Sequence, residues 1–111
     1  MKLDKYTANK RNLRMFVDMT GDRYFDLEEI SFSQDTGEWK LSFGESDRGP
    51  FENTLKISGV MECHYSDPYK IGIYQMNTIK VDLERLVIRL KAEPGLDIAL
   101  KVDEGFTISL E

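Results

Sequence analysis

The run Cys63-His64-Tyr65-Ser66-Asp67 sets a nucleophile, a base and an acid side by side, as a hydrolytic site would. A Cys–His dyad needs its thiol and imidazole within hydrogen-bond reach. Here Met61, Cys63 and Tyr65 alternate as in a strand, and neighbours on a strand leave opposite faces. Cys63 is therefore expected in the core with Met61 and Tyr65, and His64 outside with Glu62. The carboxylates Asp18, Asp22, Asp26 and Glu28 invite a calcium reading, but a calcium loop needs closely alternating oxygens, an internal Gly and a closing Glu. Asp18-Met19-Thr20-Gly21-Asp22 supplies no such pattern. One His and one Cys give no ligand set for zinc and no intrachain disulfide. Asp82 and Glu84 could form a glycosidase pair, yet as same-face neighbours on a strand they read as solvated. None of the eight Gly is spaced as GxGxxG or GxxxxGK, and no Ser occupies a GxSxG elbow. The expectation is a protein without a catalytic centre, metal site or cofactor.

Binding chemistry has more support in the residues. Tyr65, Tyr69 and Tyr74 surround a loop over 66–70 that also holds Asp67-Pro68, and tyrosines in such places offer large contact area with a polar tip. Cross-strand pairing of Tyr65 with Tyr74 is the competing reading for those two. Trp39 shares parity with Leu41 and Phe43 and reads as core, whereas Phe51 after Gly49-Pro50 could be a plug or an anchor. Fifteen basic residues against twenty acidic give a net charge of −5. The first fourteen residues are nonetheless net +4, so the remainder carries −9. The acidic density is greatest over 18–52, where only Arg23, Lys40 and Arg48 are basic. A body of that sign repels phosphate backbones, which disfavours direct nucleic-acid binding. It attracts a basic partner and speeds the encounter.

The elements that must carry these groups follow from the alternation of apolar and polar residues, the mark of strands with one buried face. Such alternation runs through Ile30–Phe32, Trp39–Phe43, Leu55–Tyr65, Ile71–Ile73, Ile79–Leu83, Leu86–Leu90, Ile98–Val102 and Phe106–Leu110. Asp35-Thr36-Gly37, Glu93-Pro94-Gly95 and Asp103-Glu104-Gly105 each end in Gly between two runs, as hairpin turns require. The parity flip between Leu83 and Leu86 predicts a turn at Glu84-Arg85. Longer loops are expected at 44–53 and 66–70. Residues 8–19 fit a helix, with Thr7 as cap and Thr20-Gly21 as stop, although Leu13, Met15, Val17 and Met19 also fit a strand. The helix is preferred for its good helix formers.

A chain of 111 residues with 41% apolar content makes one β-rich domain over 1–111. The expected architecture is an antiparallel sandwich or partly open barrel of about seven or eight strands, with one N-terminal helix covering a side. No apolar run reaches the roughly 18 residues that cross a bilayer. Met1-Lys2-Leu3-Asp4-Lys5 contains no apolar signal segment, so a cytoplasmic location without membrane contact is expected.

Phe25-Asp26-Leu27-Glu28-Glu29-Ile30-Ser31-Phe32, then Trp39-Lys40-Leu41-Ser42-Phe43, then Leu55-Lys56-Ile57-Ser58-Gly59-Val60 resembles the strand pattern of small bacterial immunity proteins. These belong to toxin systems that include contact-dependent inhibition and other polymorphic toxins. The resemblance covers about residues 24–65. It implies a non-enzymatic inhibitor that occludes the active site of a cognate toxin, such as a basic nuclease domain. No functional residue carries over, because such families bind through divergent surfaces. The contact candidates come instead from charge and loop position: Asp35, Glu38, Glu45, Asp47, Glu52, Asp67 and Tyr69. Two alternatives from other classes stand beside this reading. One is a small-ligand carrier built as a β-barrel; the other is an assembly subunit pairing through an edge strand, with 106–110 as the candidate edge.

Overall fold

A computed structural model describes residues 2–67, 70 and 72–111. In chain order the elements are β1 (Lys2–Leu3), α1 (Lys10–Thr20), β2 (Tyr24–Asp26), β3 (Ile30–Ser33) and β4 (Glu38–Phe43). There follow β5 (Asn53–Ser66), β6 (Ile73–Asp82), β7 (Val87–Glu93) and β8 (Leu96–Leu110). A single 3-10 turn, Leu27–Glu29, links β2 to β3. Alternation dictates what each strand buries. On β4, Trp39, Leu41 and Phe43 are buried while Glu38, Lys40 and Ser42 are not. Their partners Ile57 and Leu55 on β5 are wholly enclosed. Ile88, Leu90 and Ala92 on β7 face the same core as Leu96, Ile98, Leu100 and Val102 on β8. Each large aliphatic side chain so enclosed contributes about 1.5–3 kcal/mol.

The strands form one antiparallel sheet of order β2-β6-β7-β8-β5-β4-β3, with β1 added to β8. The sheet curls into a nearly closed barrel. The gap is narrowest where Tyr24 of β2 and Gly44, just past the end of β4, exchange backbone N–H···O=C bonds of 2.8 and 2.9 Å. Phe25, Trp39, Tyr74 and Phe106 rank among the largest fully buried side chains and fill the interior.

Closure depends on a local break in the ladder between β5 and β8. Ser58 pairs with Thr107, yet Val60 pairs with Val102, so the intervening β8 residues bulge out of register. Gly59 lies opposite that bulge at φ +80°. An added Cβ there would stand 2.8 Å from Asp103 Oδ1 and 3.0 Å from the Cα of Phe106. Only glycine fits both the left-handed backbone and the close approach.

That break corrects one expectation. Asp103-Glu104-Gly105 is no hairpin: β8 continues through it, bent where Asp103 Oδ1 accepts the Gly105 N–H at 2.8 Å. Acidic-x-Gly between alternating runs signals a kinked strand as readily as a turn. A second correction follows. Residues 106–110 are not an edge, because Thr107, Ile108 and Leu110 pair with β5 while Ile108 and Ser109 also pair with β1. The turns over Asp35–Gly37 and Pro94–Gly95 stand where expected. So does the turn over Leu83–Leu86, where Asp82 Oδ1 accepts the N–H groups of Glu84 and Arg85 at 3.1 Å.

Helix α1 buries Leu13 and Phe16, and Thr20 Oγ1 returns a hydrogen bond to the Phe16 carbonyl at 2.8 Å. Its cap is Asn9, whose side chain accepts the Asn12 N–H at 2.9 Å. Thr7, expected in that role, instead donates to and accepts from Asp4, closing the turn that leads into the helix. The helix packs against β6. There β2 has ended, and from Thr78 to Asp82 the strand partner of β6 among the described residues is β7 alone. The helix thus takes the place of a missing stretch of wall. No helix among the described residues is long and apolar enough to cross a membrane.

Candidate functional site

The C-terminal turn of α1, strands β2 and β6, the β4–β5 loop and the β7–β8 turn converge at one end of the barrel. Two adjoining depressions lie between them. The first, about 300 Å³, is lined by Val17, Asp18, Gly21, Asp22, Gln75, Met76, Asn77 and Glu93. The second, about 660 Å³, is lined by Tyr24, Asp47, Ile73, Tyr74, Gln75, Glu93 and Pro94. Gln75 and Glu93, paired across β6 and β7, border both, so the two depressions adjoin and are taken together as one acidic groove.

Among the described residues, every charged residue lining this groove is a carboxylate: Asp18, Asp22, Asp47 and Glu93. Arg23, between Asp22 and Tyr24 in sequence, is engaged by Glu45 at 3.4 Å. The groove is framed by directed hydrogen bonds. Gln75 Nε2 donates to the Asp22 carbonyl at 3.2 Å, and Asn77 Nδ2 donates to Glu93 Oε1 at 3.3 Å. Tyr74, buried against Phe25, donates its hydroxyl to Asp67, which also accepts the Lys70 N–H at 2.9 Å. Among the described residues no three Asp, Glu, His or Cys side chains gather closely enough to hold a metal ion. Carboxylates strung along a groove suit several separate cations, such as the Lys and Arg side chains of a protein surface.

The structure divides the contact candidates read from sequence. Asp47 lines the groove; Asp67 reaches it through Tyr74; Glu45 holds Arg23 beside it. Glu52 is exposed at the far end of the same β4–β5 loop. Asp35 and Glu38 lie at the opposite end of β4, where Glu38 is paired with Lys56 at 3.2 Å and Lys40 at 3.9 Å. They do not join the groove. Tyr69 lies outside the described residues.

Asp18, Asp22 and Glu93 form much of the groove and were not among those candidates. Asp18 and Asp22 share the acidic stretch 18–52, but their meeting with Glu93 depends on β2 pairing with β6, which no local pattern announces. Cys63 packs against the core while His64 points outward, 3.4 Å from Glu62, as the alternation requires. Met61 and Tyr65 depart from it, at 45% and 44% exposure. Met61 falls within the register irregularity between Val60 and Glu62, and Tyr65, although opposite the buried Ile98, stands next to the end of β5. Trp39 is core, and its indole N–H donates to the Tyr65 hydroxyl at 3.1 Å. Tyr65 and Tyr74 are not cross-strand partners, since Tyr65 pairs with Ile98 and Tyr74 with Phe25.

Comparison with protein-family models, curated proteins and solved structures finds no match to this chain.

Proposed function

We propose that this protein is a non-enzymatic inhibitor that seats a basic surface of a partner protein in the acidic groove at the β2–β6 end of the barrel. The observation that carries the reading is the groove itself, lined among the described residues by four carboxylates and by no Lys, Arg or His. The partner that fits is a toxin domain whose active-site cleft is basic, such as a nuclease that grips phosphate. An acidic groove over that cleft displaces the polyanion and occludes the site, the action of an immunity protein. Opposite charge accelerates the encounter by about 10–10³-fold at low salt. The exposed Met15 and Met19 flank Asp18 on the outer face of α1 and supply adaptable apolar contact next to the charge.

The small-ligand alternative draws less support from the geometry, because the barrel interior is occupied by aromatic side chains. Affinity capture from the lysate of the native host, followed by mass spectrometry, tests the proposal. The expected result is a basic protein with a nuclease-like domain, retained at low salt and released at high salt. Recovery of the same proteins by a variant carrying Asp18→Lys, Asp22→Lys, Asp47→Lys and Glu93→Lys would overturn it.

A further inference from the structure

The last stretch of β5 is a sheet edge. β4 pairs with β5 only as far as Ile57, and among the described residues the final backbone bond on that side runs from the Val60 N–H to the Gly37 carbonyl, at 2.9 Å. From Glu62 to Ser66 the strand partner among the described residues is β8 alone. The edge is uncovered: Met61, Glu62, His64, Tyr65 and Ser66 are all exposed, and only Cys63 is half-buried. An open edge presents backbone donors and acceptors to an incoming strand, and proteins usually block one with Pro, Lys or a bulge. The register irregularity at Met61 bounds this edge, but the five residues beyond it include neither Pro nor Lys.

From this edge we infer that two copies of the chain pair antiparallel through the end of β5, about a twofold axis at Cys63. The order of the residues selects the occupant. Side chains on one face of a sheet stand opposite each other only in registers that match the pleat. With Cys63 opposite its counterpart, Glu62 of each copy faces His64 of the other. Within one chain these two side chains already lie 3.4 Å apart, both exposed. Pairing gathers two carboxylates and two imidazoles across the axis, where opposite-charge partners favour the register. Continued by one residue, the same register sets Met61 beside Tyr65 of the second copy, so two side chains exposed at 45% and 44% cover each other. The register centred on His64 instead sets the imidazoles face to face and leaves Glu62 opposite Ser66. A basic segment of another protein finds only Glu62 as counter-charge between Met61 and Ser66, so a second copy is the better fit. The twofold contact consumes the edge and closes the assembly at a dimer. It is short, so association is weak. None of residues 61–66 lines the acidic groove.

The test joins sedimentation velocity of the full chain over a concentration series with disulfide trapping at Cys63, the one cysteine of the chain. Opposite residues of an antiparallel pair have Cα atoms about 4.5–5.5 Å apart, within the span of a disulfide. Copper phenanthroline as oxidant should therefore trap a covalent dimer rapidly. The double variant Cys63→Ser, Ser66→Cys should not be trapped, because in this register its two thiols belong to residues about 20 Å apart along the paired strands. The charge variants give an independent reading, each checked for folding by circular dichroism. Glu62→Lys and His64→Glu alone should each weaken the dimer at least about tenfold, and the two together should restore it, since the exchanged charges again face each other. A chain that stays monomeric up to about 1 mM would overturn the proposal. Equal trapping of the Ser66→Cys variant, or a dimer that the single charge variants leave unchanged, would overturn the assigned edge and register.

Discussion

Trp39 and Tyr65 show how a single contact can tie the core to the surface. The indole lies in the barrel interior, and its N–H reaches outward to a hydroxyl on a ring that is otherwise 44% exposed. Burial of that hydroxyl end pushes the Tyr65 phenol up to about 12, with the neighbouring Cys63 adding to the rise and the Trp39 bond opposing it. The unfolded chain gives up this proton near 10, before the folded one does. This contribution to stability is therefore complete below pH 10 and is lost as pH rises from 10 to about 12. Alkaline denaturation of the wild type and of Tyr65→Phe checks this: the variant's stability should fall less across that window. Gly59 carries a larger penalty. Gly59→Ala should cost more than about 1 kcal/mol in urea unfolding, since the left-handed backbone disfavours a Cβ even before its contact with Asp103. The burial of Trp39 and the inward Cys63 are legible from alternation alone. The exposure of Met61 and Tyr65 is not, because Met61 falls inside the register irregularity between Val60 and Glu62 and Tyr65 stands next to the end of β5.

At the scale of elements, the charges on α1 run against its dipole. Lys10 and Arg11 stand in the first turn and Asp18 in the last, each beside a helix end of like sign. Each such placement costs about 0.3–1 kcal/mol. Asp18, held at that cost, lines the acidic groove. Asp18→Lys should accordingly raise the melting temperature while weakening attachment of a basic partner. Arg11→Glu should likewise raise the melting temperature, since it puts a carboxylate in the first turn. Calorimetry alongside capture of the partner separates these effects, and a parallel fall in both would contradict the assignment. Most elements can be read from the sequence: the helix and its stop, the alternating strands, and the turns at 35–37, 83–86 and 94–95. The continuity of β8 cannot, since a bend held by Asp103 and Gly105 has the same local chemistry as a hairpin. Nor can the seat of α1 beside β6, which exists because β2 is only three residues long.

On the scale of the whole molecule, the uneven charge noted along the chain becomes two separate surfaces. The basic N-terminal residues gather on the first half of α1 opposite β6, and part of the acidic excess gathers where α1 ends. The pairing of β2 with β6 makes the acidic groove, because Asp18 and Asp22 then meet Glu93 across β6, and the β4–β5 loop brings Asp47 to the second depression. Charge density along the sequence marks the acidic excess but not which carboxylates share a surface: Asp35 and Glu38 lie at the other end of β4 from Asp47. Local carboxylate placement, more than net charge, should then govern partner binding. The measurement that decides this compares two variants of equal charge change in capture from host lysate at low salt. One reverses Asp18, Asp22, Asp47 and Glu93 to Lys; the other reverses Glu28, Glu29, Asp35 and Glu38. The account predicts that the wild type and the second variant retain the same basic protein and that the first loses it. Equal loss in both variants, or retention by the first, would contradict the claim that the acidic groove is where the partner binds.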